Sequence, residues 1–128
     1  MLIVPPEHPW AECGAIAPEQ LRGCQLLGGE SGSGTSRVIQ EQLADIAPSL
    51  QVAAQLGSTE AVKRAVQAGL GVSLVLTASV AREVAAGWLA SVRIAGVSLA
   101  KQLYLVYDQR SSPGNPARRF AEHLLEVP

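Results

Sequence analysis

Apolar residues follow two spacings along the chain, one typical of strands and one typical of helices. Short apolar runs predict strands at Leu2–Val4, Gln25–Leu27, Leu50–Leu56, Gly71–Leu76, Leu89–Ile94 and Gln102–Tyr107. Helical spacing predicts a turn at Pro18–Leu21 and helices at Thr35–Ala47, Ser58–Gly69, Ser79–Ala86 and Ala117–Leu125. Pro48 is expected to end the first of these helices. Strands that alternate with helices predict an α/β sandwich around a mainly parallel sheet.

The helix predicted at Ser58–Gly69 carries the clearest end signals. Ser58 or Thr59 can cap its N-terminus, Glu60 suits the positive first turn, and Gly69 provides a C-terminal stop. The charged residues between positions 58 and 64 are read as a solvated helix face. The residues predicted to be buried in this region are Val62, Ala65, Val66, Leu74 and Leu76.

The composition is that of one globular domain with little net charge. The chain has 128 residues, of which 48% are hydrophobic, and 10 basic against 11 acidic residues give a net charge of −1. A nearly neutral domain is not expected to bind nucleic acid by itself. The start of the chain lacks the basic segment and long apolar run of a signal peptide, and no run approaches the ~20 residues that span a bilayer. A cytoplasmic location without membrane contact is expected.

The titratable side chains form no recognisable catalytic set. His8 and His123 have no nearby cysteine, serine or aspartate in a triad pattern. Cys13 and Cys24 lack the spacing of a zinc site and are read as small apolar residues. A binding module that uses no metal and no cofactor is therefore favoured over an enzyme.

A polar, glycine-rich loop joins the strand at Gln25–Leu27 to the next helix. It reads GGESGSGTSR over residues 28–37, and its glycines allow backbone N–H groups to turn towards a ligand. Ser31, Ser33, Thr35 and Ser36 add hydroxyls, Arg37 adds a cation, and the junction at Gly57–Thr59 offers a similar set. Such junctions suit a carboxylate, sulfate or phosphate, but ordinary helix caps have the same composition, and the residues alone leave both interpretations open. The lysine of a nucleotide-binding P-loop is absent.

An ordered series of segments spans nearly the whole chain and resembles one known family. The segments are VPPEHPWA, IAPEQLRG, GESGSGTSRVIQEQL, LGSTEAVKRAVQAGLGVSLVL, GWLASVRIAG, QLYLVYDQR and RRFAEHL. In order and spacing they are similar to the effector-binding domain of LysR-type transcriptional regulators. One departure is Leu76-Thr77, where many members have Leu-Pro.

The resemblance implies a domain plan. Members carry an N-terminal winged helix-turn-helix, a linker helix and an effector domain like the type 2 periplasmic binding proteins, with two α/β subdomains joined by two crossover strands. Residues 1–107 are then expected to form the second subdomain, a three-layer sandwich with crossover strands at Leu2–Val4 and Gln102–Tyr107. Residues 108–128 are expected to be a linker and a C-terminal helix that packs on a first subdomain outside this chain.

The resemblance also implies a function: regulation of transcription through a small, often anionic effector bound in the cleft between subdomains. DNA would be contacted only by the winged helix-turn-helix, and the regulator would be a homo-oligomer. The alternative is a fragment of a type 2 solute-binding protein. The effector-binding residues implied are Ser31, Gly32, Ser33, Gly34 and Thr35, with Gly57, Ser58 and Thr59 at the neighbouring edge.

Overall fold

A computed structural model of the chain describes residues 1–29, 32–100, 102–108, 110, 112 and 114–126. The strands are β1 (Leu2–Val4), β2 (Ala15–Ile16), β3 (Gln25–Gly28), β4 (Gln51–Gln55), β5 (Ser73–Leu74) and β6 (Ala90–Ile94). The α-helices are α1 (Gly34–Gln42), α2 (Thr59–Gln67), α3 (Ala81–Ala85) and α4 (Pro116–Glu126). Short 3₁₀ turns lie at Pro18–Leu21, Ala47–Ser49 and Thr77–Ser79.

The strands form a mixed sheet in the order β2-β6-β1-β5, which continues into the pair β3-β4. A parallel bridge between Leu26 and Val72 joins β3 to β5. β1 runs antiparallel to β5 and β6, while β2-β6 and β3-β4 are parallel. The prediction of a mainly parallel sheet is confirmed for every strand except β1, which enters the sheet without a helical crossover.

Helices cover both faces of the sheet and give the predicted three layers. One apolar cluster lies beneath α1 and includes Leu26, Leu43 and Ile46. The other lies beneath α2 and α3 and includes Val66 and Val80. Successive residues of a strand point to opposite faces, so neighbours such as Leu26 and Leu27 enter different clusters.

Helix α2 forms where local signals predict it. Ser58 caps its N-terminus, and Gly69 adopts the left-handed conformation with a φ of 73°. The N–H of Gly69 donates to the Val66 carbonyl at 2.9 Å, and the N–H of Leu70 donates to the Ala65 carbonyl at 3.1 Å, which completes a Schellman stop. Predicted burial is confirmed at Val62, Ala65 and Val66.

Two other predictions about α1 and β5 are wrong in detail. Helix α1 ends at Gln42 rather than Ala47, because the backbone leaves the helical region at Leu43. The turn that follows lets both Leu43 and Ile46 enter the core, and Pro48 lies inside the separate 3₁₀ turn. Leu76 is exposed, unlike Leu74, because it follows the end of β5 and faces an open cavity.

The strand predicted at Gln102–Tyr107 is absent. Those residues carry no regular secondary structure, and Leu103, Tyr104 and Val106 are largely exposed. A strand needs a partner for its backbone N–H and C=O groups, and no described strand pairs with this segment.

The C-terminal helix α4 forms as predicted but leaves much of its apolar surface exposed. Phe120, Leu124 and Leu125 are exposed, whereas Ala121 is buried. Among the described residues, no helix has the length and apolar character required to cross a membrane.

Candidate functional site

A cavity of about 390 Å³ opens at the carboxyl ends of β3, β4 and β5. These three strands point the same way, so the loops that follow them meet at one edge of the sheet. Helix α1 begins after the β3 loop and α2 begins after the β4 loop. The N-termini of both helices therefore border the same cavity.

Each helix start is capped by a serine that lines the cavity. The Ser33 Oγ accepts a hydrogen bond from the Ser36 N–H at 3.2 Å, and the Ser58 Oγ accepts one from the Ala61 N–H at 3.1 Å. A hydroxyl that accepts from the backbone keeps its own proton for another partner. The first turns of both helices also carry N–H groups without intrahelical partners and a partial positive charge. This edge of the cavity therefore favours an anionic group.

The remaining lining is apolar or neutral and polar. Its apolar side chains include Leu26, Ile39, Leu50, Val52 and Leu76. Gln40 and Gln55 add amides, and Ser73 and Ser79 add hydroxyls. No ionisable side chain is among the described residues that line the cavity, and the exposed Arg37 is not part of the lining. Any negative charge bound here would be held by hydroxyls and helix N-termini.

The cavity brings together five of the eight residues that the family resemblance implied. Ser33, Thr35, Gly57, Ser58 and Thr59 line it. Gly32 and Gly34 do not: Gly32 is an exposed turn residue with a φ of 73°, and Gly34 is the first residue of α1. Ser31 lies outside the described residues.

Five polar residues of the lining, Ser36, Gln40, Gln55, Ser73 and Ser79, are not among the effector-binding residues that the family resemblance implies. Ser36 belongs to the glycine-rich loop and its hydroxyl is a candidate there on composition alone, although the family resemblance does not imply it. The other four, Gln40, Gln55, Ser73 and Ser79, lie in a helix, a strand or a 3₁₀ turn and carry no motif. Their positions could have been found only from the sheet order, which brings the end of β5 beside the ends of β3 and β4.

The reading of residues 58–64 as a solvated face is wrong at Lys63. This side chain is buried between α2 and α3, where its Nζ lies 2.6 Å from Glu83 Oε1 and 2.7 Å from Glu60 Oε2. Hydrogen bonds to Glu60 and Glu83 raise the pKa of Lys63, and the hydrogen bond from Lys63 lowers the pKa of Glu83. The burial of Lys63 is compensated because the charge is paired twice.

Among the residues that the structure describes, the histidines and cysteines considered in the sequence form no second site. The Nδ1 of His8 accepts from the Trp10 N–H at 3.2 Å, and the two rings pack edge to face. Cys13 and Cys24 are free thiols, and partial burial raises the pKa of Cys24. Within the described part of the chain, no three His, Cys, Asp or Glu residues are grouped so that they could hold a metal ion.

Several known proteins are similar to this chain in sequence. The transcriptional activator CmpR of Synechocystis PCC 6803 is 32% identical over 125 residues, which are 98% of this chain and 41% of CmpR. A probable RuBisCO transcriptional regulator of Cyanidioschyzon merolae is 31% identical over 129 residues, which are 98% of this chain and 43% of the regulator. The chain thus spans less than half the length of these relatives.

Two solved structures share the fold. The CcmR regulatory domain of Synechocystis PCC6803, in complex with 2-PG, has a TM-score of 0.81 at 24% identity and covers 97% of this chain and 60% of its own. The effector binding domain of QuiR, in complex with shikimate, has a TM-score of 0.68 at 16% identity and covers 95% of this chain and 56% of its own. Their common architecture confirms the expected α/β fold of the periplasmic-binding-protein type.

The family itself is identified by sequence. The family model of the LysR substrate binding domain matches residues 1–128. This match distinguishes between the two classes that the sequence left open, a regulator and a solute-binding protein. The chain belongs to the LysR substrate binding domain family.

Proposed function

We propose that this chain is the ligand-sensing part of a LysR-type transcriptional regulator and that its cavity binds a small anionic metabolite. The observation that carries the proposal is the meeting of two capped helix N-termini, at Ser33 and Ser58, on one cavity. The similar folds of CcmR and QuiR, each in complex with a small molecule, support it. Because the relatives are transcriptional regulators, we propose binding rather than catalysis.

We further propose that residues 1–107 provide one wall of the binding cleft and that another part of a longer regulator provides the opposite wall. The share of CmpR that the chain covers supports this division. Exposed apolar side chains in residues 102–108 and on α4 support it too, since Leu103, Val106 and Phe120 would be covered by such a body. Residues 108–128 would then connect to that body and pack against it.

In this scheme the ligand acts by preferring one arrangement of the two cleft walls. A ligand that contacts both walls binds the closed arrangement more tightly and shifts the population towards it. The shift would alter the spacing of DNA-binding domains in a homo-oligomer, and DNA would be contacted by a winged helix-turn-helix rather than by this chain. One wall alone should bind weakly, with a dissociation constant in the millimolar range, or about −4 kcal/mol.

An NMR titration of the chain with sodium butyrate tests the proposed site. The amides of residues 33–36 and 58–61 should shift first, because their N–H groups lie at the two helix starts. Sodium chloride at equal ionic strength is the ion control. Ser58→Ala removes one donor hydroxyl and should weaken binding, whereas Ser112→Ala, at an exposed serine outside the cavity lining, should not. Unmoved amides at residues 33–36, or equal shifts with chloride, would contradict the proposal.

A further inference from the structure

Ser73 is a buried serine of the cavity lining whose side-chain hydrogen bond has a defined direction. It lies in β5, is only 2% exposed and belongs to the cavity lining. Its hydroxyl donates to the Leu27 carbonyl at 2.6 Å. A serine hydroxyl has one proton and two lone pairs, so with the proton directed to Leu27 the oxygen can only accept from any further partner.

The direction of this hydrogen bond is fixed by the way β3 and β5 separate. The Val72 N–H donates to the Gln25 carbonyl at 2.9 Å, and the Leu27 N–H donates to the Val72 carbonyl at 2.8 Å. The Leu27 carbonyl is the next acceptor along β3, and the side chain of Ser73 supplies its donor. Turning the hydroxyl towards a ligand would deprive a buried carbonyl of this donor, which is unfavourable.

The serines at the two helix N-termini have the opposite hydrogen-bonding role to Ser73. Ser33 and Ser58 accept from backbone N–H groups and keep their protons, so they donate to a ligand. The cavity therefore has a donor edge at the two helix N-termini and an acceptor at Ser73. No carboxylate is found among the described lining residues, so an ammonium group near Ser73 would lose its hydration without gaining a counter-charge. A neutral hydroxyl meets the requirement for a donor without that cost.

We propose that the ligand class of this site is a hydroxycarboxylate, whose carboxylate lies at the helix N-termini and whose hydroxyl donates to Ser73 Oγ. The proposal rests on the proposed function, since it assigns a chemical class to the ligand of the same cavity. It makes Ser73 a residue that determines specificity.

Binding of five probes to the complete chain tests the assignment. The probes are butyrate, its α-, β- and γ-hydroxy derivatives, and γ-aminobutyrate. Each is titrated into the protein while the NMR shifts of the amides of residues 33–36 are followed. The three hydroxy isomers place the hydroxyl at different distances from the carboxylate. At least one should bind about 2- to 10-fold more tightly than butyrate, the gain typical of one additional hydrogen bond. The amino analogue should gain nothing over butyrate.

Two variants connect any preference to Ser73. Ser73→Ala should reduce the ratio of the affinities for the preferred hydroxy isomer and for butyrate to about one. Ser73→Cys replaces a strong acceptor with a weak one at similar size, and should reduce that ratio if Ser73→Ala does not fold.

Three results would overturn the assignment while the anion site stands: equal binding of butyrate and all hydroxy isomers, tightest binding of γ-aminobutyrate, or an advantage that persists in the folded variants. If no probe shifts the amides of residues 33–36, the proposed anion site fails and this assignment fails with it.

Discussion

Replacing Val66 with alanine should destabilise the fold more than any exposed valine-to-alanine change. Val66 lies on the inner face of α2, is 0% exposed, and packs in a cluster with Ile3, Leu27, Val80 and Leu89. The substitution removes two buried methyl groups at about 0.8 kcal/mol each. A cavity that remains partly open adds up to about 1 kcal/mol at about 24 cal/mol per Å³. The expected loss is about 1.5–2.5 kcal/mol.

This loss should be measurable in two ways. Urea denaturation followed by far-UV circular dichroism gives the change in unfolding free energy directly. The unfolding entropy of about 2.1 cal/mol/K per residue gives about 0.27 kcal/mol/K for 128 residues, so Tm should fall by about 6–9 °C.

The matched control is Val106→Ala, which makes the same chemical change at a side chain that is 89% exposed. This variant should remain within about 0.5 kcal/mol of the parent. If Val66→Ala is no more destabilising than Val106→Ala, the assignment of the buried face of α2 is wrong.

Three further predictions concern backbone packing, pH and DNA. Gly71→Ala should lower the free energy of unfolding by roughly 2–4 kcal/mol, because the added Cβ would overlap the Gln25 carbonyl oxygen. The control Gly29→Ala adds a Cβ that meets nothing within 4 Å and should cost far less, so equal urea midpoints for the two variants would refute the prediction. The Lys63–Glu83 pair should stabilise the fold fully between about pH 5 and 10. The pKa of Glu83 is lowered in the folded state, so its stabilisation is present above the unfolded pKa near 4.3 and is lost in acid. The pKa of Lys63 is raised in the folded state, so its stabilisation is present below the unfolded pKa near 10.4 and is lost in alkali. Glu83→Gln should flatten the acid limb of stability against pH, and an unchanged limb would contradict the argument. The chain alone should give a flat anisotropy titration with duplex DNA at moderate salt, since its net charge is only −1; sequence-specific binding would show that it carries a DNA-reading surface of its own.

The sequence alone determined those elements that depend only on interactions between neighbouring residues. The start and stop of α2 follow from Ser58 and Gly69, because capping and the left-handed C-terminal turn involve only neighbouring residues. The row of buried apolar side chains on α2, which includes Val66, follows from helical spacing for the same reason. The family resemblance implies a binding role for the loop around Ser33; this serine does line the cavity, and its role in effector binding remains a prediction.

Tertiary structure decided what depends on distant parts of the chain. Residues 102–107 have strand-like composition but no strand, because backbone pairing requires a neighbour that composition cannot supply. Lys63 is buried because Glu83, twenty positions away, meets it across α2 and α3. Ser73, in the cavity lining, is left as an acceptor only because β5 lies beside β3, where the Leu27 carbonyl accepts its proton. The acceptor side of the site, and with it the hydroxyl of the ligand that we propose, is a consequence of strand order and cannot be read from any local motif.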